Sequence, residues 1–447
     1  MAPAPAQPPM DESFAGSLQD AAGERAGTPP GGPGDPPPAG AGYIRLLVFA
    51  VFGVYMAFVT PIAISLAIRV DDLAPGHEEY LGYITGAGGV SAVLATPLVG
   101  MLSDRTRSRL GRRRPFLISG TLVGVVALVV LAQAPTVLVL GMGWALAQLG
   151  WGTIVALLIA SQADRLPEFQ RGKVAALSGV VQPIAPIIGV LVAGGLTGNP
   201  LLQFLVPGMV GVVAVGLFVC LVHEPDSRGT TLAVEPLTPR RLASTYVFDP
   251  RRNPDFAWNW LGKFLFMFGL TFNTTFTAFF VAARMDRSVD EVSGLVAVLG
   301  GAGVVATMLG ALGGGLLSDR LRRRRVFVLA GACVFAAGAV VMALAPGMPL
   351  IVAGVFLGNA GLGVFASVDQ ALMLDVLPDR ETAAGRFIGI YAFSTSVPQA
   401  IAPLVAPLFL TVGATGGEKN YTLLYVIAGA LSLLGGLLIA LRVRSVR

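Results

Sequence analysis

Two charged side chains lie inside long apolar runs, where they could bind or exchange a proton. Asp369 stands six residues before Asp375, about 9 Å into its run at 1.5 Å per residue. Lys263 stands seven residues after Phe256, about 10 Å into another run. A carboxylate at membrane depth costs about 2.5–3.5 kcal/mol on insertion scales, so it must face a cavity, pair with a cation or stay protonated. We therefore interpret Asp369 as a candidate proton-coupling group and Lys263 as its candidate partner.

Each of these two residues also has a simpler interpretation. Asp369 could make a structural hydrogen bond to a neighbouring helix. Lys263 could extend its side chain to the lipid headgroups. The sequence alone leaves both alternatives open.

Uncharged polar and aromatic side chains inside the apolar runs could contact a solute. Amides donate and accept hydrogen bonds, and an indole offers a face on which a sugar ring could stack. Hydrogen bonding between helices is the competing interpretation. The candidate substrate contacts are Gln148, Trp151, Gln182, Asn273, Asn359 and Gln399.

The composition indicates the kind of molecule that must position these residues. The chain has 447 residues, of which 54% are hydrophobic and 13% charged, and its mean hydropathy is +0.73. Soluble proteins carry about 25% charged residues, so this chain is predicted to be a multi-pass membrane protein. The net charge of +5 comes from arginine clusters between apolar runs, which membrane topology explains better than nucleic-acid binding. Cys220 and Cys333 lie inside apolar runs, and no cofactor or metal motif is present in the sequence.

Twelve apolar runs are long enough to cross a bilayer. Arginine and lysine concentrate in the loops that follow the even-numbered runs, which predicts that these loops and both termini are cytoplasmic. We expect a disordered tail at 1–42, six-helix bundles at 43–222 and 257–443, and a cytoplasmic loop at 223–256. The predicted spans are 43–68, 79–102, 116–134, 136–160, 174–197, 200–222, 257–283, 293–317, 326–345, 348–373, 387–413 and 421–443.

Three pairs of matching segments indicate an internal duplication. Gly100-Met-Leu-Ser-Asp-Arg105 matches Gly315-Leu-Leu-Ser-Asp-Arg320, and both are followed by arginines. Gln148-Leu-Gly-Trp-Gly152 matches Asn359-Ala-Gly-Leu-Gly363, and Gln182-Pro-Ile-Ala-Pro186 matches Gln399-Ala-Ile-Ala-Pro403. Duplicated membrane halves of this kind are typical of secondary transporters.

The twelve spans, the long middle loop and the segment from Ser103 to Phe116 resemble the major facilitator superfamily. The ending Arg113-Arg114-Pro115-Phe116 is similar to the glycoside–pentoside–hexuronide cation symporters and the sucrose-type carriers. The resemblance implies an all-α membrane fold with two six-helix halves, and alternating access. It also implies a cytoplasmic gate that latches the halves in the outward-open state. The gate residues would be Asp104, Arg105, Arg112, Asp319 and Arg320, although the arginines could instead only fix the topology.

One departure from that branch concerns the coupling ion. Melibiose-type symporters carry acidic residues inside span 2, whereas here Glu78 and Glu79 lie at its outer edge and its interior has none. Sodium coupling of that kind is therefore not expected.

The predicted function is secondary active transport across the plasma membrane. Proton-coupled uptake of a sugar or glycoside is the first expectation. Proton-coupled efflux of drugs or metabolites and a non-transporting membrane sensor are the alternatives. We expect no enzymatic activity and no cofactor. The expected partners are a small-molecule substrate, a proton and the lipid bilayer, and the protein is expected to be a monomer.

Overall fold

The computed structural model describes residues 37–224, 226–228, 248–378, 384–413 and 419–444. We number its helices by span, with α7 in two pieces. They are α1 Ala41–Leu73, α2 Glu79–Arg105, α3 Arg114–Ala132, α4 Val137–Arg165, α5 Glu168–Gly194, α6 Pro200–Leu221, α7a Pro254–Thr275, α7b Thr277–Met285, α8 Ser293–Leu321, α9 Arg324–Ala343, α10 Met348–Asp375, α11 Ala384–Thr411 and α12 Tyr421–Arg442. Residues 1–36 of the predicted tail at 1–42 and most of the predicted loop at 223–256 lie outside the described residues, and α1 begins inside the predicted tail at Ala41.

The prediction of twelve spans is confirmed when the bent α7 is counted as one. Eleven helices in the described part of the chain are long and apolar enough to cross a membrane, and α7a and α7b meet at a 45° bend. Several helices exceed the predicted runs, because polar residues at the interface continue the helix beyond its apolar part. For example, α5 begins at Glu168 instead of residue 174, and α1 ends at Leu73 instead of residue 68.

Glycines let neighbouring helices cross closely at equivalent places in the two halves. A Cβ built on Gly150 of α4 would lie 2.5 Å from the backbone nitrogen of Gly124 on α3. A Cβ built on Gly361 of α10 would lie 2.4 Å from the backbone nitrogen of Phe335 on α9. Gly150 and Gly361 are partners in the internal repeat, so the duplication preserves a helix crossing that only a residue without a side chain allows.

The halves meet at one end of the bundle. We call the end with Arg105–Arg114 and Arg320–Arg325 the arginine-rich end, and the end with Glu78 and Lys419 the opposite end. Near the opposite end, α2 packs against α11 and α5 packs against α8. In the described residues, α1, α4, α7a and α10 take no part in the extensive contacts between the halves. The resemblance to the major facilitator superfamily implies that these four helices border the space between the halves.

Three glycines of α2 make the α2–α11 contact possible. A Cβ on Gly82 would lie 2.3 Å from the carbonyl oxygen of Pro403, and one on Gly89 would lie 2.6 Å from the Cα of Ala400. Gly86 faces the side chain of Leu404 in the same way. Because backbone atoms cannot yield to a new side chain, larger residues at Gly82 and Gly89 must push the two helices apart.

We predict that Gly89→Val opens the opposite end of the bundle, since its side chain would enter the space of the Ala400 backbone. The measurement is the distance between spin labels on cysteines at Gly198 and Pro346, one in each half, with Cys220 and Cys333 replaced by alanine. Gly100→Val is the matched control on the same helix, because no atom lies within 4 Å of its Cβ position. Identical distance distributions in the two variants would contradict the prediction.

Candidate functional site

Asp369 and Lys263 lie together inside the second half. Asp369 on α10 is 2% exposed, and its Oδ2 lies 3.4 Å from the Nζ of Lys263 on α7a, which is 16% exposed. The structure thus brings together the two charged residues that the sequence placed at similar depth. The carboxylate of Asp369 is thus almost fully shielded, whereas Lys263 keeps part of its side-chain surface exposed.

Two further residues complete the site, and the sequence analysis missed both. The hydroxyl of Tyr391 on α11 donates a hydrogen bond to Asp369 Oδ1. The amide of Asn259 on α7a donates to the Tyr391 hydroxyl over 2.9 Å. Lys263 Nζ also lies 4.1 Å from the centre of the Tyr391 ring, within the range of a cation–π contact. Tyr391 therefore contacts both members of the ion pair.

Asn259 could have been found from the sequence, whereas Tyr391 could not. Asn259 stands four residues before Lys263 and so lies on the same face of one helix. Tyr391 belongs to another helix, and only the packing of α11 against α7a brings it to Asp369.

Apolar side chains close the site on two sides. Towards the arginine-rich end, Phe256 packs edge-on against Phe387, with ring centres 5.3 Å apart, in a cluster that includes Met373 and Tyr391. Towards the other side, Phe266 of α7a stacks on Phe365 of α10 at 3.6 Å. Water is therefore kept from the carboxylate along the helix axes, which increases the strength of its interaction with Lys263.

The predicted gate residues form ion pairs within each half. In the first half, Arg113 at the start of α3 contacts Asp104 at 2.6 Å and Asp164 at 3.2 Å. In the second half, Arg324 at the start of α9 contacts Asp319 at 3.6 Å and Asp375 at 3.0 Å. The duplication thus places the same Asp–Arg–Asp triad at the arginine-rich end of both halves.

The triads change the roles expected for the gate arginines. Arg113, which the sequence analysis did not select, is 9% exposed and pairs with Asp104, whereas Arg112 lies 3.8 Å from Asp164. Arg105 is half-buried and Arg320 is exposed. Among the described residues, Asp104 and Asp319 pair with arginines of their own halves. The latch between the halves stays a prediction.

Glu224 holds the first triad in place. Its carboxylate accepts hydrogen bonds from the backbone N–H groups of Arg112, Arg113 and Arg114. These groups form the start of α3, where unpaired N–H donors and the helix dipole favour a negative charge. The carboxylate also lies against Gly111, whose φ of +88° suits a residue without a Cβ.

The uncharged candidates lie in different surroundings. Trp151 is fully buried between Gly124 of α3 and Gly211 of α6, so its indole fills the core of the first half instead of offering a face to a sugar. Asn359 donates to the Val355 carbonyl and accepts from Thr307 on α8, which agrees with the helix–helix alternative.

The other uncharged candidates differ in how far their side chains are exposed. Gln148 lies in a π-helical turn of α4 and is 8% exposed. Gln182 and Asn273 are half-buried, and Gln399 is exposed. Asn273 stands three residues before the bend at Phe276.

The family model described as the Major Facilitator Superfamily matches residues 44–313 and 293–447. The chain belongs to the major facilitator superfamily. It is therefore a multi-pass membrane transporter and not an enzyme, and the predicted all-α fold is confirmed.

Similar proteins include sugar and nucleoside transporters. A general alpha-glucoside permease of Schizosaccharomyces pombe (strain 972 / ATCC 24843) is 33% identical over 101 residues, which are 21% of this chain and 17% of that permease. The matched segment thus spans less than a fifth of that relative. The crystal structure of the nucleoside transporter NupG has a TM-score of 0.70 at 13% identity, covering 89% of this chain and 97% of that chain.

A D-xylose–proton symporter has a TM-score of 0.68 at 15% identity, covering 91% of this chain and 98% of that chain. A bacterial homolog of the human lysosomal transporter Spinster, solved in an inward-facing and unoccupied conformation, has a TM-score of 0.68 at 14% identity and covers 90% and 98%. At these identities the likenesses to solved structures show the fold.

We predict that Lys263→Ala destabilises the protein, because it leaves the buried carboxylate of Asp369 without its cation; losing one partner of a buried pair costs about 3–5 kcal/mol. The double variant Lys263→Ala/Asp369→Ala is expected to recover most of this loss. The measurement is the thermal unfolding midpoint of the purified protein, with the monodisperse yield as a second readout. A double variant that loses the sum of the two single losses would show that the pair does not interact.

Proposed function

We propose that this transporter couples the uptake of a sugar or glycoside to the entry of a proton, with Asp369 as the proton-binding group. The observation that supports this most is a carboxylate inside the membrane span, 2% exposed, whose charge is balanced by one lysine. Intramembrane acids of this kind serve as proton relays in many transporters. The site therefore has two stable forms, the ion pair and the protonated acid.

The two forms of the site differ in whether the ammonium group of Lys263 is available to a solute. When a proton binds Asp369, the acid becomes neutral and the lysine loses its strongest partner. The freed ammonium group, which borders the space between the halves, can then donate hydrogen bonds to a solute hydroxyl. Release of the proton restores the ion pair and removes that donor, which favours solute release.

Aromatic rings beside Lys263 suit a sugar. Trp260, Phe264 and Phe268 follow each other at intervals of one helical turn along α7a, and all three are half-buried. The rings of Trp260 and Phe264 stack at 5.4 Å. Such a row offers apolar faces to the C–H groups of a sugar ring, while Asn273 and Gln148 can bind its hydroxyls.

The names of the similar proteins support the same substrate class. One relative found by sequence is a general alpha-glucoside permease, and one similar structure is a D-xylose–proton symporter. Nucleosides are the second candidate class, because NupG has a TM-score of 0.70 to this chain and a nucleoside also carries a sugar ring.

The orientation rests on the positive charges. We propose that the arginine-rich end faces the cytoplasm, as the positive-inside rule indicates. The halves are then joined on the outer side, and the conformation is inward-facing.

We predict that an inward gradient of the correct solute drives protons into proteoliposomes, and that Asp369→Asn abolishes this flux because the site then cannot hold a proton. The measurement is the acidification of the lumen, followed with a trapped pH dye, for maltose, sucrose, D-xylose and uridine. Asp286→Asn is the matched control, since Asp286 is exposed in a left-handed turn that asparagine also adopts.

The outcomes separate the alternatives. Alkalinisation of the lumen by an inward solute gradient would indicate proton exchange and favour the efflux function. Solute entry with no proton movement, or full proton flux in Asp369→Asn, would contradict the proposal.

A further inference from the structure

An ion pair joins the two halves at the opposite end of the bundle. The Nζ of Lys419, just before α12, lies 2.7 Å from the Oε2 of Glu79 at the start of α2. The two side chains are 15% and 18% exposed, so the pair is well shielded from water. The partners stand 340 residues apart and belong to different halves. Any movement that separates the halves at this end must break this contact.

Glu78 lies beside this pair, and one of its carboxylate oxygens lacks a hydrogen-bond partner among the described residues. Its Oε2 is buried and makes no hydrogen bond with the part of the chain that the structure describes. Glu78 precedes α2 and so lies outside the membrane-spanning segment. Burial raises the pKa of its carboxyl group to about 7, and the charge of Lys419 opposes this increase only in part.

The charged groups around Glu78 come from several elements. Asp71 at the end of α1 and Glu79 on α2 add negative charge and so raise its pKa further. Asp290, between α7b and α8, interacts with Asp71. His77 contacts Glu79 at 2.9 Å. Among the described residues near Glu78, Lys419 is thus the cation that faces these acids.

We propose that Glu79 and Lys419 form an outer gate, and that protonation of Glu78 favours the closed form of this gate. The inference rests on the proposed function for its orientation, in which this end faces the outside. It adds a second proton-linked step, separate from Asp369.

Whether protonation of Glu78 favours the closed or the open gate follows from proton linkage. With the gate closed, Glu78 is half-buried with its Oε2 shielded from water, and it binds a proton with a pKa of about 7. With the gate open, water would reach the carboxylate, and its pKa would return towards the usual value of about 4.3. The closed form thus binds the proton more tightly, so protonation favours closure. This contribution is fully present below the lower of these values and is lost as the pH rises through about 7.

The arrangement has a consequence for the transport cycle. Protons that arrive from an acidic exterior would reach Glu78 at the mouth and favour closure of the outer side. Proton binding at Asp369 and closure of the outer gate would then both respond to external protons. In the closed form, the buried Lys419–Glu79 pair would add a contact that the open form lacks.

The test uses spin labels at Gly198 and Pro346 in nanodiscs, titrated from about pH 5.5 to 8.5, on either side of the Glu78 pKa of about 7. All proteins carry Asp369→Asn, so that the inner site cannot contribute. We expect the ratio of open to closed forms to rise with pH, by at most about tenfold per pH unit. Glu78→Gln should keep the closed form at every pH. Asp72→Asn, which alters an exposed acid of the same region, should leave the titration unchanged.

A second variant tests the gate independently of Glu78. Lys419→Gln should increase the open fraction across the whole titration, whereas the control Arg287→Gln, an exposed cation at the same end, should not. A pH response that persists in Glu78→Gln, a titration that is flat in the parent protein, or an unchanged open fraction in Lys419→Gln would each overturn the proposal. Because every protein carries Asp369→Asn, these results do not depend on whether Asp369 couples transport to protons.

Discussion

The charge of Asp369 must be compensated inside the membrane, and this requirement organises the second half of the protein. The carboxylate lies on α10, its cation on α7a and its hydrogen-bond donor on α11. These three helices must therefore stay together, whatever movement the halves make relative to each other. Ion pairing of this kind is weak evidence for stability, because desolvation offsets much of the Coulomb attraction. The pair matters because the site can exist either as the Lys263–Asp369 ion pair or with a protonated, neutral Asp369.

The ends of the two halves differ in how they are held. At the arginine-rich end, each half closes its own Asp–Arg–Asp triad, centred on Arg113 or Arg324. At the opposite end, the halves bind each other through α2 and α11, through α5 and α8, and through Lys419 and Glu79. Contacts within a half preserve its shape, whereas contacts between halves define one state of the cycle. Among the described residues, the extensive contacts between the two halves therefore lie at one end, as expected for a rocking movement.

The sequence was sufficient for features that depend on composition and periodicity. The spans and the depth of Asp369 and Lys263 follow from the lengths of the apolar runs, whereas the duplication follows from three pairs of matching segments. The contact between Asp369 and Lys263 could be proposed because α7 and α10 run in opposite directions, which places the two residues at a similar depth. The internal repeat also predicted that Gly150 and Gly361 occupy equivalent places, although not that they mark close helix crossings.

Other features required the packing. Trp151 was expected to face a solute, but glycines on α3 and α6 leave a space in the core that its indole fills. The sequence does not distinguish Arg113 from the adjacent Arg112 and Arg114. Only the direction in which α3 begins makes Arg113 the buried arginine of the triad. The contact of Lys419 with Glu79 joins residues 340 positions apart, and no local sequence pattern predicts it. The bend of α7 at Phe276 follows no proline or glycine, so no local residue pattern predicts it.

The proposed proton coupling depends most on Asp369 as the group that carries the proton. The most direct measurement compares two activities of Asp369→Asn in the same proteoliposomes: solute accumulation driven by a pH gradient, and exchange of labelled for unlabelled solute. Exchange requires no net release of a proton, whereas accumulation does. The account predicts that the variant loses accumulation and retains exchange. Accumulation at the level of the unmodified protein would contradict it and leave Asp369 with a structural role in the packing of α7a, α10 and α11.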